Sequence, residues 1–291
     1  MEDIIKKADV LIEALPYIQR FNKKIVVIKY GGAVMENDEM RRGTLADIVF
    51  MSYVGMKPVL VHGGGLFINR KMHEVGKKPK FIDGRRVTDE DTMQIVEETL
   101  SELNNRVIKE IKKLGGAAFG VSGKVDDLIK VKKQTATHRK RFGYVGEIDS
   151  INPQPIKRAL KADKIPVIYS VAIDDKKRLY NINADEASSR IAISLEAEKL
   201  VLLTNAKGIM MNQDDEDSLI STLNIKDVKD LIKRGIITGG MLPKVKACIE
   251  ALKGGIRKTH IIDGRVPHSL LLEIFTDKGI GTEIIGKPSN K

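Results

Sequence analysis

Three short stretches of the chain join a lysine or a histidine to consecutive glycines: Lys29-Tyr30-Gly31-Gly32, His62-Gly63-Gly64-Gly65 and Gly239-Gly240-Met241-Leu242-Pro243-Lys244. Glycine lets a backbone approach an anion closely and turn its N–H groups onto it, and a helix that follows adds the positive end of its dipole. Taken singly, each stretch is a tight turn or an ordinary helix start before it is a phosphate cradle. The first two stand in succession at the ends of apolar runs, one of them with a lysine, and together they weigh toward an anion. Lys244 falls in the first turn of a helical pattern, where the dipole favours acids. An anionic ligand explains a cation placed there. Asn181-Ile182-Asn183-Ala184-Asp185 precedes another helical pattern, for which Asn183 is an adequate N-cap.

Other chemistries lack their residues. No G-x-x-x-x-G-K-S/T occurs; FGVSGKVD (119–126) approaches it without the spacing or the hydroxyl. No G-x-G-x-x-G follows the first apolar run, and the protein-kinase motif set is missing. The five histidines (His62, His73, His138, His260 and His268) and the single Cys248 show no ligand spacing, so no metal site is expected.

The elements that must position these groups follow from periodicity. Apolar runs of strand length fall at 25–30, 58–61, 117–121, 165–172, 199–204, 258–263 and 282–285. Helical patterns lie between them at 89–114, 185–196, 226–234, 241–253 and 268–276. Asp89 can cap the first of these and Gly115-Gly116 can end it. Strands alternating with helices predict an α/β fold, a mostly parallel open sheet sandwiched by helices. A further helix precedes the first strand, with Ile4, Ile5, Ala8, Leu11, Ile12 and Leu15 on one face. It is an appendage to the core and needs a surface to cover that face, in its own domain or in another subunit. The charged DDKKR (174–178) interrupts the apolar pattern, dividing the chain into a helix over 1–22, a lobe over 23–178 and a lobe over 179–291.

Composition narrows the setting. A chain of 291 residues, 42% of them hydrophobic, can bury a large core. One cysteine precludes an intramolecular disulfide framework, the N-terminus is charged rather than leader-like, and no apolar run approaches the ~18–20 residues of a membrane span. A cytoplasmic protein is expected, without membrane partners. The formal charge of +11 and the basic segment KVKKQTATHRKR raise nucleic acid as a partner, but aromatics are only 4% and no binding motif is present. A solvated lysine-rich surface accounts for the charge, and its field also attracts anionic small molecules.

In order along the chain, IVVIKYGGAVM, VHGGG, PKFIDGRRVTDEDTM, SGKVDDLI, YNINADEAS, LVLLTNAKGI, ITGGMLPKV and HIIDGRVPHSLLLEIFTDKGIGTEI resemble the amino-acid kinase family over nearly the whole length, and within it the branch that phosphorylates N-acetylglutamate. That resemblance implies transfer of a phosphoryl group from ATP, with Mg2+, to the side-chain carboxylate of N-acetyl-L-glutamate in arginine biosynthesis. It implies Lys29 and Lys244 as catalytic lysines oriented by Asp185. It implies Gly64, Gly65, Arg86 and Asn181 around the substrate, and Gly31, Gly32, Asn205, Gly208, Gly239 and Gly240 around ATP. Asn205 stands where the family usually has aspartate, and Leu66 where a proline commonly follows HGGG. The segments LPYIQRF (15–21) and HSLLLEIFTDKGIGT (268–282) resemble the arginine-inhibited members, homohexamers built as trimers of dimers. They imply a site for L-arginine lined by Tyr17, Lys199, His268, Glu273 and Gly279. Alternatives are a related kinase acting on carrier-protein-linked aminoadipate or glutamate, whose members generally lack the N-terminal helix, and a non-catalytic arginine sensor, which would not need both lysines.

Overall fold

The computed structural model describes residues 2–132, 135–212, 214–276 and 279–286. Eleven α-helices are placed among them. The first six are α1 (Glu2–Phe21), α2 (Ala33–Glu36), α3 (Asp38–Tyr53), α4 (Gly65–Glu74), α5 (Glu90–Lys113) and α6 (Ala136–Phe142). The rest are α7 (Gln154–Lys161), α8 (Ala184–Ser194), α9 (Ile225–Lys233), α10 (Met241–Lys253) and α11 (Ser269–Ile274). The first seven strands are β1 (Ile25–Tyr30), β2 (Lys57–His62), β3 (Phe81–Ile82), β4 (Arg85–Arg86), β5 (Ala118–Ser122), β6 (Ile129–Val131) and β7 (Ile148–Ile151). Then come β8 (Ile165–Tyr169), β9 (Val171–Ile173), β10 (Leu179–Asn181), β11 (Lys199–Thr204), β12 (Thr222–Asn224), β13 (Lys258–Asp263) and β14 (Thr282–Ile285).

Eight strands form one sheet in the order β12-β14-β13-β11-β1-β2-β8-β5, and only the β13–β14 pair is antiparallel. Both faces are covered, which is why its strands read as unbroken apolar runs. Alternate residues go to opposite faces. Val27, Leu200 and Leu202 join the core beneath α8 and α10, whereas Val26, Ile28, Val201 and Leu203 join the core beneath α3 and α5. From β1 the chain moves to β2 on one side, while β11 and β13 lie on the other, so the strand order reverses at β1. In open parallel sheets the crevice outside the carboxyl ends at such a reversal is where ligands bind. Lys29 is at that end of β1.

The run expected as one strand over 165–172 breaks at Ser170. Ser170 N donates to His62 O at 3.2 Å, and the chain then leaves the large sheet for a four-stranded one, ordered β10-β9-β6-β7. The expected division at 178/179 falls in the turn between antiparallel β9 and β10. Asp174 shapes that turn, its carboxylate accepting from the N–H groups of Lys176 and Arg178. The large sheet draws strands from both sides of the division. No helix among the described residues is long and apolar enough to cross a membrane.

Helix α1 runs to Phe21 despite Pro16. Its end is docked: Phe21 is buried and Tyr17 meets Phe275 edge-on at 6.3 Å. Its anticipated apolar face is not covered by the described residues, with Leu11 and Ile12 each 68% exposed and Leu15 45%. The side chain of Ile4, on the same face, lies outside the described residues, as do Asp277 and Lys278 of the tail.

Helix α5 starts as expected. The Asp89 side chain accepts from Thr92 N at 2.9 Å and from Lys77 Nζ at 2.5 Å. Burial opposes its ionisation, but these bonds hold its carboxyl down at about 2. Asp89→Ala should cost about 1 kcal/mol, a drop of roughly 2 °C in Tm. Because the folded-state value lies below the ordinary one, the contribution is complete above about pH 4 and lost as pH falls toward 2. Thermal melts of variant and wild type should therefore converge on acidification from about pH 5 to pH 3.

Candidate active site

Lys29 is the penultimate residue of β1 and turns toward the first turn of α8. There the Asn183 side chain accepts from the N–H groups of Asp185 and Glu186, at 2.8 and 3.2 Å, which starts the helix and aims Asp185 into the crevice. Asp185 is 5% exposed. Lys29 Nζ lies 3.2 Å from its Oδ1, an ion pair without hydrogen-bond alignment, and Lys244 Nζ donates to its Oδ2 at 3.1 Å. Burial alone would raise the Asp185 carboxyl, but the charges of Lys29 and then Lys244 hold it below the usual carboxylate range. Lys244 is pushed below the usual lysine range by burial first and by Lys29 second, against the pull of Asp185. Two ammonium groups thus share one carboxylate, leaving excess positive charge at a buried point.

The clamp joins two clefts. The first, of about 230 Å³, is lined by Lys29 and Asp185 together with Gly31, Gly32, Gly63, Gly64, Gly65, Arg86 and Asn181. A Cβ on Gly64 would lie 2.7 Å from side-chain carbons of Leu100 and Leu103, so α5 presses the turn from behind and a larger residue there would have to displace those leucines. Arg86 is 6% exposed, stacks over Phe81 at 4.8 Å and donates to Gly65 O at 3.0 Å and Asn69 Oδ1 at 2.6 Å. It has no carboxylate partner among the described residues, and burial lowers its pKa. A buried guanidinium without a counter-ion favours an incoming anion. The Asn181 side chain donates to Thr88 Oγ1 at 3.2 Å, and Thr88 Oγ1 donates to Arg86 O at 2.8 Å, which ties β10 to β4 across the cleft.

The second cleft, of about 810 Å³, holds Lys244, Asn205, Gly208, Gly239 and Gly240. Lys207 and Arg265 add basic groups, Arg265 paired with Asp263 at 2.8 Å, and no acid lines the cleft among the described residues, which suits a polyphosphate; Ile209, Met210, Ile236, Ile237 and Met241 add apolar wall. Of the glycines expected around the nucleotide, Gly31 and Gly32 lie in the first cleft beside Lys29.

A third cavity, of about 200 Å³, lies apart from both and is lined by Tyr17, Lys199, Glu273 and Gly279, with Arg20 and His260. Gly279 has φ +60°, and a Cβ there would meet the Glu273 carboxylate at 2.8 Å. Glu273 Oε2 accepts from Ile280 N at 2.8 Å and Oε1 lies 2.5 Å from His260 Nδ1. Burial opposes its ionisation, while His260, Ile280 and Lys199 hold the carboxyl below its usual range. His268 is not in this cavity. It stands at the start of α11, its Nδ1 2.6 Å from the buried Asp47 of α3.

Sequence reasoning missed Thr88, Ser170 and Glu186 in or beside the first cleft, and Lys207 and Arg265 in the second. Thr88 and Lys207 stand inside quoted motifs, GRRVT and TNAKGI, and adjacency was the only signal. Nothing local marks Ser170.

A model of the amino acid kinase family matches residues 24–263. The acetylglutamate kinase of Pelotomaculum thermopropionicum is 49% identical over 288 residues, covering 96% of this chain and 98% of its own. That of Desulforamulus reducens is 46% identical over 281 residues, covering 97% and 98%. Among solved structures, N-acetylglutamate synthase from Neisseria gonorrhoeae, complexed with coenzyme A and N-acetyl-glutamate, superposes with a TM-score of 0.82 at 25% identity. The match covers 96% of this chain and 63% of that one.

The clamp predicts its own disruption. Asp185→Asn leaves two facing, partly buried ammonium groups, a loss on the order of 3 kcal/mol for a buried pair deprived of one partner. Inorganic phosphate should restore more of the lost Tm in the variant than it adds to the wild type. Equal phosphate responses would mean that the lysines do not present an anion site.

Proposed function

The chain belongs to the amino acid kinase family, and on that premise we propose that it transfers the γ-phosphoryl group of ATP to the side-chain carboxylate of N-acetyl-L-glutamate, a step of arginine biosynthesis. The observation that carries this reading is the Lys29–Asp185–Lys244 clamp between one cleft suited to a small anion and another suited to a polyphosphate.

The acceptor occupies the first cleft. Arg86 takes its α-carboxylate in a bidentate fork and Asn181 its acetylamino group. The N–H groups of Gly64 and Gly65 meet the reacting carboxylate. ATP occupies the second cleft with Gly239, Gly240, Gly208 and Asn205 about its phosphates, and magnesium accompanying ATP would supply countercharge for those phosphates. A glutamate side chain, with a reference pKa of about 4.3, is already ionised, so no general base is required. Its oxygen attacks the γ-phosphorus, the bond to the β-phosphate oxygen breaks, and ADP leaves with that electron pair, giving the acyl phosphate. Lys29 and Lys244 stabilise the charge spread over the transferring group from opposite sides, while Asp185 holds both in place. ATP as a substrate and a lone, buried Cys248 support a cytoplasmic setting.

An ATP-dependent hydroxamate assay comparing N-acetylglutamate, glutamate and aspartate tests the reading. N-acetylglutamate should be strongly preferred. Lys29→Ala and Lys244→Ala should each lower kcat by ~10²-fold or more with smaller effects on KM. Near-normal kcat in both would remove the lysines from the mechanism.

Regulation belongs to the same proposal. The third cavity takes L-arginine, with Glu273 pairing its guanidinium. The bare apolar face of α1 pairs across dimers into a hexamer, each buried side chain there contributing ~1.5–3 kcal/mol. Arginine then inhibits by preferring the subunit arrangement with the more open active site. Deleting residues 1–16 should yield active dimers that arginine barely inhibits, whereas Glu273→Ala should remain hexameric and lose arginine sensitivity. A hexameric deletion variant in sedimentation would overturn the interlacing, and full inhibition of Glu273→Ala would overturn the site.

A further inference from the structure

We propose that His62, held as its Nδ1–H tautomer by Asn104, is a positioning residue that turns the Gly63–Gly64 peptide so that the Gly64 N–H faces the acceptor carboxylate. The inference rests on reading the first cleft as the acceptor site.

His62 closes β2, and its ring is wholly buried. The Asn104 amide of α5 lies against two atoms: Nδ2 is 2.9 Å from Val167 O and 3.1 Å from His62 Nε2. A carbonyl oxygen can only accept, so the amide atom facing Val167 is the NH2 group, and its second hydrogen points at Nε2. That nitrogen must then offer a lone pair. The proton of the neutral ring is on Nδ1, which lies 3.0 Å from Gly63 O and donates to it. Burial pushes the ring's ionisation down to about 4, so the neutral form persists at ordinary pH. Its other titratable neighbours are tyrosines. Tyr30 is its register partner on β1, and Tyr169 on β8 lies 6.3 Å away ring to ring, with its hydroxyl on Glu97 of α5.

In a trans peptide the C=O and the following N–H point opposite ways, and the described chain has no cis bond. With Gly63 O tied to the buried ring, the Gly64 N–H is turned toward the cleft that Gly63, Gly64 and Gly65 line. Neither Gly64 N nor Gly65 N donates to a protein acceptor among the described residues. Consecutive glycines cross easily between backbone conformations. A flipped Gly63–Gly64 peptide would present its carbonyl oxygen to the incoming carboxylate. His62 removes that freedom before substrate arrives, which is where preorganised donors derive their catalytic effect.

Three variants test the assignment in the hydroxamate assay. Asparagine can place its amide N–H near the position of the imidazole Nδ1, whereas glutamine reaches the position of Nε2. His62→Gln should lower kcat on N-acetylglutamate about 10²-fold with KM for ATP unchanged, and His62→Asn should recover most of that loss. Asn104→Asp supplies only an acceptor to Nε2–H, so Nδ1 can donate to Gly63 O only in the imidazolium form. Its kcat should fall as pH rises from about 6 to 8, a limb absent from the wild type, and this readout stands even where His62→Gln fails to fold. Equal kcat in the two His62 variants, or a wild-type pH profile in Asn104→Asp, overturns the assignment while wild-type activity leaves the functional reading intact. A wild-type protein inactive on N-acetylglutamate overturns both.

Discussion

The Asp185 carboxylate, shared between two lysines from different parts of the fold, is the contact on which the site depends. One acid cannot neutralise two ammonium groups, and burial limits how far water can screen them. The site is therefore short of negative charge until an anion arrives, and it presents that deficit where the two clefts meet. The cost of burying the three groups is offset by their mutual attraction only if each is held in register. Lys29 is held by a central strand of the sheet, Asp185 by a capped helix start, and Lys244 by a helix whose dipole disfavours it.

The sheet order is what makes that register available. Because the strand sequence reverses at β1, the carboxyl ends of β1 and β2 on one side and of β11 on the other open onto a common crevice. The glycine turns fill the first cleft, and α5 crosses behind them with Leu100 and Leu103 against Gly64. The second cleft is built from the loop after β11 and the start of α10, which explains why its lining is basic and apolar while the first cleft carries mixed charge.

The third cavity is coupled to this core through packing. Phe275, just beyond α11, meets Tyr17 of α1 and Phe50 of α3 edge-on, at 6.3 and 5.9 Å. Lys199 begins β11, the strand paired with β1, and its ammonium lies over Phe21 at 5.0 Å. The cavity is thus walled by both the end of the appended helix and the base of a central strand.

Much of this was legible in the sequence. The strands at 25–30, 199–204, 258–263 and 282–285 and the helix over 241–253 fall on the residues their patterns mark, because a strand buried on both faces and a helix with one apolar stripe each leave a local signature. The glycine–lysine turns were legible for the same reason. The break at Ser170 was not, since apolar residues continue across it and the backbone bonds Ser170 makes there, to His62 O and from Ile182 N, are with residues elsewhere in the chain. Nor was the partner of His268, an aspartate 221 positions away. Residue types and short spacings follow from neighbours in the chain, and the sequence alone carries those. That Lys29, Asp185 and Lys244 meet at one carboxylate, and that Arg86 has no acid beside it among the described residues, depends on which strands lie side by side, and tertiary packing decides that.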